Sequence, residues 1–285
     1  MFALQDHVAE RIVSALEVEL TESERENLVR RYTQSIEAYD YYLRGWDLAS
    51  DESEEGLLRA RAMFEKAIEL DPEFAPAYAQ LAYAMARDIS GVTEARDGDL
   101  ARAAELAEKA LELDDTLPLV HFVLAYVARQ RQRPGEAIAS LERALALDPN
   151  YADAYAFLGS VLSFAGRPDE GLEMVEKAKR LNPAGDSGYF QADAFAHFAL
   201  GRHEDAINAI TRSLQRNPTS VLSRIFLAAS YANAGRLADA EWEVSELLTL
   251  DPGLSIASVR EWVPFTAPEP RERMVSGLRK AGLPE

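Results

Sequence analysis

The sequence of 285 residues predicts an all-α fold, an α-α superhelix built from stacked pairs of antiparallel helices. Three observations lead to this prediction. Hydrophobic residues make up 48% of the chain, with Ala, Leu and Glu abundant and only 15 Gly, and this composition favours helices. A Leu-Asp-Pro-like triplet recurs along the chain. Small residues recur at fixed distances before each triplet, as expected where two helices touch closely.

The recurring triplet marks the end of each predicted helix pair. From Pro149 onward, successive prolines of the triplet are 34, 35 and 34 residues apart. Because proline lacks a backbone N–H and clashes with the preceding helical turn, each one is expected to close a helix. The triplets are Leu70-Asp71-Pro72, Leu113-Asp114-Asp115, Leu147-Asp148-Pro149, Leu181-Asn182-Pro183, Arg216-Asn217-Pro218 and Leu250-Asp251-Pro252.

The second helix of each pair is predicted from a small–large–small pattern. Positions 12, 8 and 5 residues before each proline, or before Asp115, share one helical face because they are four and three residues apart. The first helices are expected to end at Gly166, Gly201 and Gly235, because glycine readily adopts the left-handed conformation there. The residues 12 before each proline are all small: Ala60, Ala103, Ala137, Gly171, Ala206 and Ala240.

With this register in place, residues from about 38 to 254 resemble six tetratricopeptide repeats, a family of helix pairs with a period of about 34 residues. The second repeat is longer than the period, and its extra residues are expected in a loop from Asp88 to Asp99. Insertions at turns cost little free energy, so the array tolerates them. The predicted repeats are 38–74, 75–117, 118–151, 152–185, 186–220 and 221–254.

The residues outside the repeats, 1–37 and 255–285, are predicted to contain helical caps. Residues 3–20 predict an amphipathic helix, and Thr21 with Glu24 gives a capping-box signature for a second helix through Tyr32. A last helix is expected to cover the exposed core of the final repeat, because a terminal repeat needs an element whose outer face is polar and solvent-exposed. The apolar residues of these end helices are Leu4, Val8, Ile12, Leu16 and Leu20, and Met274, Val275 and Leu278.

The two ends also carry a set of short segments with a narrower resemblance. These segments are Phe2-Ala3-Leu4-Gln5-Asp6, Ala9-Glu10-Arg11-Ile12-Val13, Arg30-Arg31-Tyr32-Thr33, Ala38-Tyr39, Tyr42-Leu43-Arg44-Gly45 and residues 277–285. Together they resemble the C-terminal repeat region of bacterial adenylate/guanylate cyclase-type signalling proteins, in which a cyclase or DNA-binding domain precedes the repeats. No residues here match a cyclase metal-binding or base-recognition motif, so the resemblance implies a signalling context without that enzymatic activity, in a freestanding protein or a piece of a longer one.

The formal net charge of −18, from 48 acidic and 30 basic residues, argues against two classes of partner. Nucleic acids and anionic membranes are bound by clustered Lys and Arg, so neither is predicted as a partner and another protein is favoured. The chain has no Cys, which excludes disulfides and thiolate metal sites. The N-terminal residues lack the basic and apolar regions of a signal peptide, so the expected location is the cytoplasm.

No catalytic, cofactor-binding or metal-binding site is predicted, and the chain is not expected to be an enzyme. Glu94, Asp97 and Asp99, in the loop predicted for the second repeat, do not match the ligand spacing of a calcium loop. The histidines lack the spacing of four residues that places two imidazoles on one helix face. They are His7, His121, His197 and His203.

The first helices of the repeats are expected to line a concave groove that binds a partner. Aromatic side chains in such a groove suit an apolar helix or an extended apolar segment. Two alternatives stay open: superhelical curvature buries the rings against neighbouring repeats, or the N-terminal helix folds back and fills the groove. The predicted partner-binding residues are Phe122, Tyr126, Arg129, Phe164, Gln191, Phe195, Phe198, Ile225 and Asn233.

These observations lead to one main functional hypothesis and two alternatives. The main hypothesis is a non-enzymatic adaptor that binds a peptide or helix of a protein partner in the groove. The first alternative is a regulatory module of a bacterial nucleotide-cyclase signalling system, acting within a longer chain or on a separate cyclase. The second is a structural unit that self-assembles as a homodimer through residues 1–20.

Overall fold

The fold is taken from a computed structural model, which describes residues 30–50, 54–87, 95–263 and 265–285. Across these residues the regular secondary structure is entirely helical, and the predicted all-α superhelix is confirmed. Six antiparallel pairs follow one another, and two further helices come after the sixth. The helices are α1 (Ile36–Ala49) with α2 (Glu54–Leu70), α3 (Ala75–Ala86) with α4 (Ala95–Leu113), α5 (Pro118–Gln130) with α6 (Pro134–Leu147), α7 (Ala152–Phe164) with α8 (Pro168–Leu181), α9 (Ser187–Ala199) with α10 (His203–Arg216), α11 (Val221–Asn233) with α12 (Leu237–Leu250), then α13 (Ile256–Trp262) and α14 (Pro268–Lys280).

The turns that follow the second helices explain the recurring triplet. Each second helix ends immediately before the Asp or Asn of a triplet. The Asp71 carboxylate then accepts a hydrogen bond from the main-chain N–H of Glu73 at 3.1 Å, and Asp148 accepts one from Asn150 at 2.9 Å. The side chain thereby satisfies an N–H group that the turn leaves without a helical partner.

The turns inside the pairs confirm the predicted helix ends. Gly166, Gly201 and Gly235 have φ angles of 84°, 72° and 82°, in the left-handed region that glycine adopts without strain. In the third pair the equivalent residue is Gln132, which also has a positive φ of 57°. A non-glycine residue in this conformation requires a compensating interaction, and Gln132 makes one that is described below.

Small residues let the two helices of a pair approach each other. The small residue predicted at the same position of each second helix is buried in all six pairs. The approach is close in the fourth pair, where a Cβ added at Gly159 would lie 2.7 Å from the Gly171 carbonyl oxygen. Only glycine at both positions permits this crossing of α7 and α8.

Two expectations about local structure are wrong. Helix α4 already begins at Ala95, so residues 95–99 belong to the helix and not to a loop, while Glu94 lies outside the described residues. An ion pair of 3.0 Å between Asp99 and Arg61 of α2 holds this first turn against the preceding repeat. The helix predicted to run through Tyr32 does not reach it: residues 30–32 are not helical, and the rest of that prediction lies outside the described residues.

The hydrophobic core is divided into two large clusters that meet within α7. One extends from Leu57 to Leu162, and the other extends from Phe164 to Leu283 near the C-terminus. The second cluster includes side chains of α13 and α14 and of the residues between them. The last residues of the chain are therefore part of the same core as repeats four to six.

Candidate functional site

The C-terminal strap, which we define as residues 256–263 and 265–285, runs from the end of α5 across the concave side of repeats four to six. Near its start, the main-chain oxygen of Glu261 accepts a hydrogen bond from Gln132 at the end of α5. The main-chain N–H of Thr266 then donates to the Phe164 carbonyl oxygen at the end of α7, at 2.9 Å. The strap thus passes from the third repeat to the fourth, in the direction of increasing repeat number.

The strap continues across the fifth and sixth repeats. Arg273 donates through Nη1 to the carbonyl oxygens of Phe198 and Ala199 at the end of α9, at 2.9 and 3.0 Å. Asn233, at the end of α11, donates through Nδ2 to the Arg273 carbonyl oxygen at 3.1 Å. Arg273 therefore donates to carbonyl groups at the end of α9, and Asn233 joins the end of α11 to the strap.

Phe265 is the apolar anchor of the strap. Its side chain is 0% exposed, and its ring centroid lies 5.1 Å from that of Phe164, 5.9 Å from that of Phe226 and 6.0 Å from that of Phe198. Phe195 completes this group, with its ring 4.3 Å from Phe226. Five phenylalanines from four segments of the chain thus form one closed cluster.

Five of the predicted partner-binding residues lie in or beside this cluster. Phe164, Phe195, Phe198 and Ile225 are buried by the chain itself, and Asn233 is hydrogen-bonded to the strap. Gln191 donates to the Ser223 hydroxyl of the next repeat at 3.0 Å. That a partner binds these six residues stays a prediction, and such a partner would first have to displace the strap from most of them.

A second part of the concave side is not crossed by the strap. Trp46, Tyr83 and Tyr126 occupy one register position of the first three repeats, each directly after the small residue at which the two helices of its pair meet. Tyr83, Tyr126, Phe157 and Arg129 are joined by ring contacts, and Trp46 is assigned to the same side by its register position; we call these five residues the aromatic–arginine surface. Tyr83 and Tyr126 meet edge to face at 5.1 Å, and Tyr126 lies 5.3 Å from Phe157.

Arg129 carries the charge of this surface. Its guanidinium carbon lies 4.8 Å from the centroid of Tyr126 and 5.5 Å from that of Phe157, so the cation is held between two rings. Its Nε is buried without a hydrogen-bond partner, and no carboxylate of the described residues lies within 4.0 Å of it. A cation that has no carboxylate partner among the described residues favours an acidic ligand.

The tyrosines around Phe122 add no negative charge at neutral pH. Burial raises the pKa of Tyr83 and Tyr151 well above the usual value. The ring of Phe122 lies 5.4 Å from that of Tyr151 and 5.5 Å from those of Tyr83 and Phe157. The surface therefore combines neutral rings with the Arg129 cation, in a chain that is acidic as a whole.

Of the predicted partner-binding residues, Phe122, Tyr126 and Arg129 belong to this open part of the concave side. Sequence reasoning missed Trp46, Tyr83 and Phe157. The signal for the first two was available, because the register that selects Tyr126 in the third repeat selects Trp46 and Tyr83 in the first two. Phe157 was not identifiable in this way, because it stands at a different position of its repeat and reaches Tyr126 across the space between α5 and α7.

The described histidines have local packing partners. His121 Nε2 lies 2.8 Å from the Asp115 carbonyl oxygen, and His197 lies 3.7 Å from Asp193 on its own helix. The ring of His203 lies 6.1 Å from Phe198, and burial together with the Arg273 guanidinium lowers its pKa. Within the described ranges, no three His, Asp or Glu side chains are grouped so that they could hold a metal ion.

Comparison with known proteins supports the architecture. Two tetratricopeptide repeat family models match the chain, one over residues 128–192 and the other over residues 90–152 and 192–255. Together they extend from residue 90 to residue 255, which is more than half of the chain. The chain is a tetratricopeptide repeat protein. Its repeats follow the 34-residue period of that family from the third pair onward.

Two solved structures place this tetratricopeptide repeat protein among known folds. A thermophilic repeat protein of Thermus thermophilus is 19% identical, with a TM-score of 0.53, covering 68% of this chain and 98% of that one. The human IFIT1 dimer is 18% identical, with a TM-score of 0.64, covering 97% of this chain and 63% of that one. At these identities the likeness concerns the fold alone.

One curated relative extends the comparison to signalling proteins. "Putative adenylate cyclase 3" of Rhizobium meliloti (strain 1021) is 36% identical to this tetratricopeptide repeat protein over 138 residues. The match covers 48% of this chain and 24% of the relative, so the chain corresponds to about a quarter of that protein's length. No helix of the described residues is long and apolar enough to cross a membrane.

Proposed function

We propose that this protein is a cytoplasmic, non-enzymatic adaptor that binds a segment of a protein partner on its aromatic–arginine surface. Tetratricopeptide repeats are generally protein-interaction modules, and the part of the concave side that the strap does not cross offers aromatic side chains from several repeats. The exposure of Trp46 is the single observation that carries the proposal. Its side chain is 59% exposed, at the repeat position that faces the concave side.

The composition of the surface supports a protein ligand. Trp, Tyr and Arg are the residues that most often contribute large binding energies at protein interfaces. Here they stand in adjacent repeats, so a helix or an extended segment running across α1, α3 and α5 would contact Trp46, Tyr83 and Tyr126 in turn. Arg129 would then select a segment with a carboxylate next to its apolar residues.

The test compares two tryptophans of nearly equal exposure on opposite faces. Trp46 is 59% exposed on the concave side, and Trp242 is 57% exposed on α12 at the back of the sixth repeat. In affinity capture from the lysate of the source cells, Trp46→Ala should lose the captured protein, whereas Trp242→Ala should retain it. Measured on the purified partner, the loss should be at least about tenfold in Kd.

The proposal fails if the same protein is retained by wild type, Trp46→Ala and Tyr126→Ala with equal affinity. Both aromatic variants should keep the helical circular dichroism of wild type, since neither side chain is fully buried. A protein that is lost with Trp242→Ala and kept with Trp46→Ala would place the binding site on the back of the array.

A second candidate function is a regulatory module of a nucleotide-cyclase signalling system. It is favoured by the relative from Rhizobium meliloti, which is named as an adenylate cyclase and of which this chain matches 24%. The proposal is that the repeats modulate a cyclase, either within a longer chain or as a separate protein. Adding the purified chain to the cyclase encoded nearest to it and measuring cyclic nucleotide formation tests this; an unchanged rate at saturating concentration counts against it.

A further inference from the structure

Residues 206–238 differ in charge from the rest of the chain. They contain four arginines and no Asp or Glu, whereas the whole chain has 48 acidic and 30 basic residues. Two of these arginines form ion pairs of 2.8 Å with carboxylates of α12. The other two, Arg212 and Arg216 of α10, have no carboxylate within 4.0 Å among the described residues. The end of α10 therefore presents two cations that the fold leaves without a counter-charge.

One aromatic ring holds both of these arginines. The guanidinium carbon of Arg212 lies 4.1 Å from the centroid of the Phe190 ring, and that of Arg216 lies 4.5 Å from it. Phe190 is buried on α9, with 7% of its side chain exposed, whereas both arginines are exposed. Because the ring restricts the two long side chains, they lose less conformational entropy when a ligand binds them.

The fifth repeat departs from the repeat pattern at this place. Arg216 occupies the first position of the recurring triplet, where the other five repeats have Leu. In the first two repeats, the Lys equivalent to Arg212 forms an ion pair with a Glu three residues further on, at 2.7 and 3.1 Å. In the fifth repeat Gln215 stands in place of that Glu. Both departures make the end of α10 more positive.

The charge of the arginine pair selects the kind of ligand. Both guanidinium carbons lie within 4.5 Å of the centre of the same ring, so the two cations repel each other until an anion contacts both. Arginine binds phosphate oxygens through paired N–H groups. A phosphate monoester has a charge of about −1.5 to −2 at pH 7 and neutralises the pair, whereas a carboxylate supplies one charge. A long polyanion is disfavoured, because the chain as a whole has a net charge of −18.

We propose that Arg212 and Arg216, held by Phe190, form a binding site for a phosphate monoester. The group is carried by a phosphorylated side chain of another protein or by a free phosphate ester, since both present the same dianion. The site is separate from the aromatic–arginine surface, because that surface belongs to the first helices of repeats one to four and α10 is the second helix of the fifth repeat. The chain thus has a second point of attachment, which responds to the phosphorylation of the ligand.

NMR spectroscopy of the arginine Nε–H groups in the full-length chain tests the site. The probes are inorganic phosphate, an otherwise uncharged peptide with one phosphoserine, and the same peptide with Glu in its place. Both phosphate probes should shift the Arg212 and Arg216 signals saturably, and the Glu peptide should bind at least about tenfold more weakly, because it offers fewer charge-assisted hydrogen bonds. Equal affinity for the phosphoserine and Glu peptides, or no saturable shift with either phosphate probe, would overturn the proposal.

Substitutions that restore the pattern of the other repeats identify the residues involved. Arg216→Leu introduces the residue of the other triplets, so it should keep the helical circular dichroism and weaken binding of the phosphoserine peptide about tenfold. Gln215→Glu supplies an internal carboxylate, as in the first two repeats, and should also weaken binding. The matched control is Arg143→Gln, at the register position of Arg212 in the third repeat, and it should leave the Kd unchanged. Equal binding by wild type and Arg216→Leu would show that the pair forms no site.

The two phosphate probes distinguish the sources of the ligand. Tighter binding of the phosphoserine peptide than of inorganic phosphate supports a phosphorylated protein, because residues beside the phosphate then add contacts. Equal or weaker binding of the peptide supports a free phosphate ester. Because neither Arg212 nor Arg216 belongs to the aromatic–arginine surface, a negative result here leaves the adaptor function to be decided by the capture experiment alone.

Discussion

Gln132 donates a hydrogen bond of 2.7 Å from its side-chain amide to the main-chain oxygen of Glu261, 129 residues further along the chain. Gln132 stands where the next three repeats have Gly166, Gly201 and Gly235, and like them it has a positive φ. The backbone cost of a non-glycine residue in this conformation is about 1–2 kcal/mol. The contact with the strap offsets that cost, and it joins the third repeat to the last residues of the chain.

Substitutions at Gln132 separate these two effects. Gln132→Ala keeps the unfavourable conformation and removes the hydrogen bond, so it should lower the free energy of unfolding by about 1 kcal/mol. Gln132→Gly removes both, so its stability should remain close to that of wild type. Urea unfolding followed by circular dichroism measures the difference; if alanine and glycine are equally stable, the positive φ carries no cost here.

Phe265→Ala should strongly destabilise the protein, because it opens a cavity among four other phenylalanines. Removal of a fully buried Phe side chain typically costs about 3–5 kcal/mol. Leu237→Ala is the control, since Leu237 is 46% exposed and its loss should change stability by less than about 1 kcal/mol. Equal urea midpoints for the two variants would show that the strap is not part of the core.

Gly159→Ala and Gly135→Ala should change stability in opposite directions. Both glycines lie in helices, where alanine is ordinarily favoured by about 1 kcal/mol. At Gly135 a Cβ would meet nothing within 4 Å, so the substitution should stabilise, whereas at Gly159 a Cβ would lie 2.6 Å from Val175 and 2.7 Å from the Gly171 carbonyl oxygen. The Tm values of both variants, measured by thermal melting, test whether the two changes in stability have opposite signs. A raised Tm for Gly159→Ala would contradict the close crossing of α7 and α8.

Alkaline pH should destabilise the folded chain through its buried tyrosines. The pKa of Tyr42 is about 12 in the folded state, and burial also raises the pKa of Tyr83 and Tyr151 above the ordinary value of 10.0. Above pH 10 the unfolded chain loses these protons while the folded chain retains them, so the free energy of unfolding falls as pH rises. Tyr42→Phe should make this fall shallower, as measured by urea unfolding between pH 8 and pH 11.

Much of the repeat architecture was predictable because it is encoded locally. The residues that end the helices, such as Gly166 and Pro149, act through their own backbone conformation, and small residues such as Ala60 identify the face where two helices meet. These signals recur in every repeat, so each one strengthens the assignment of the others. The same register predicted Tyr126 and Arg129 on one side of α5, and in the structure the Arg129 guanidinium lies 4.8 Å from the Tyr126 ring.

The path of the strap could not be predicted in the same way. Nothing in the local pattern around Phe265 indicates that its ring will meet Phe164, about 100 residues earlier, because that contact depends on the curvature of the whole superhelix. The sequence therefore suggested an open groove at Phe164, Phe195 and Phe198, with burial by curvature as an alternative. Among distant segments, the sequence indicated only the N-terminal helix as one that could fold back into the groove.

The closed phenylalanine cluster has a consequence for biosynthesis. Every residue of the cluster between Leu57 and Leu162 leaves the ribosome well before Phe265, so the first half can fold during translation. Phe265, Met274 and Leu278 emerge only after all six repeats, and until then the second half lacks the strap over its aromatic side chains. A nonsense mutation shortly before Phe265 would thus leave all six repeats intact in sequence and yet produce a polypeptide that chaperones retain and proteases degrade.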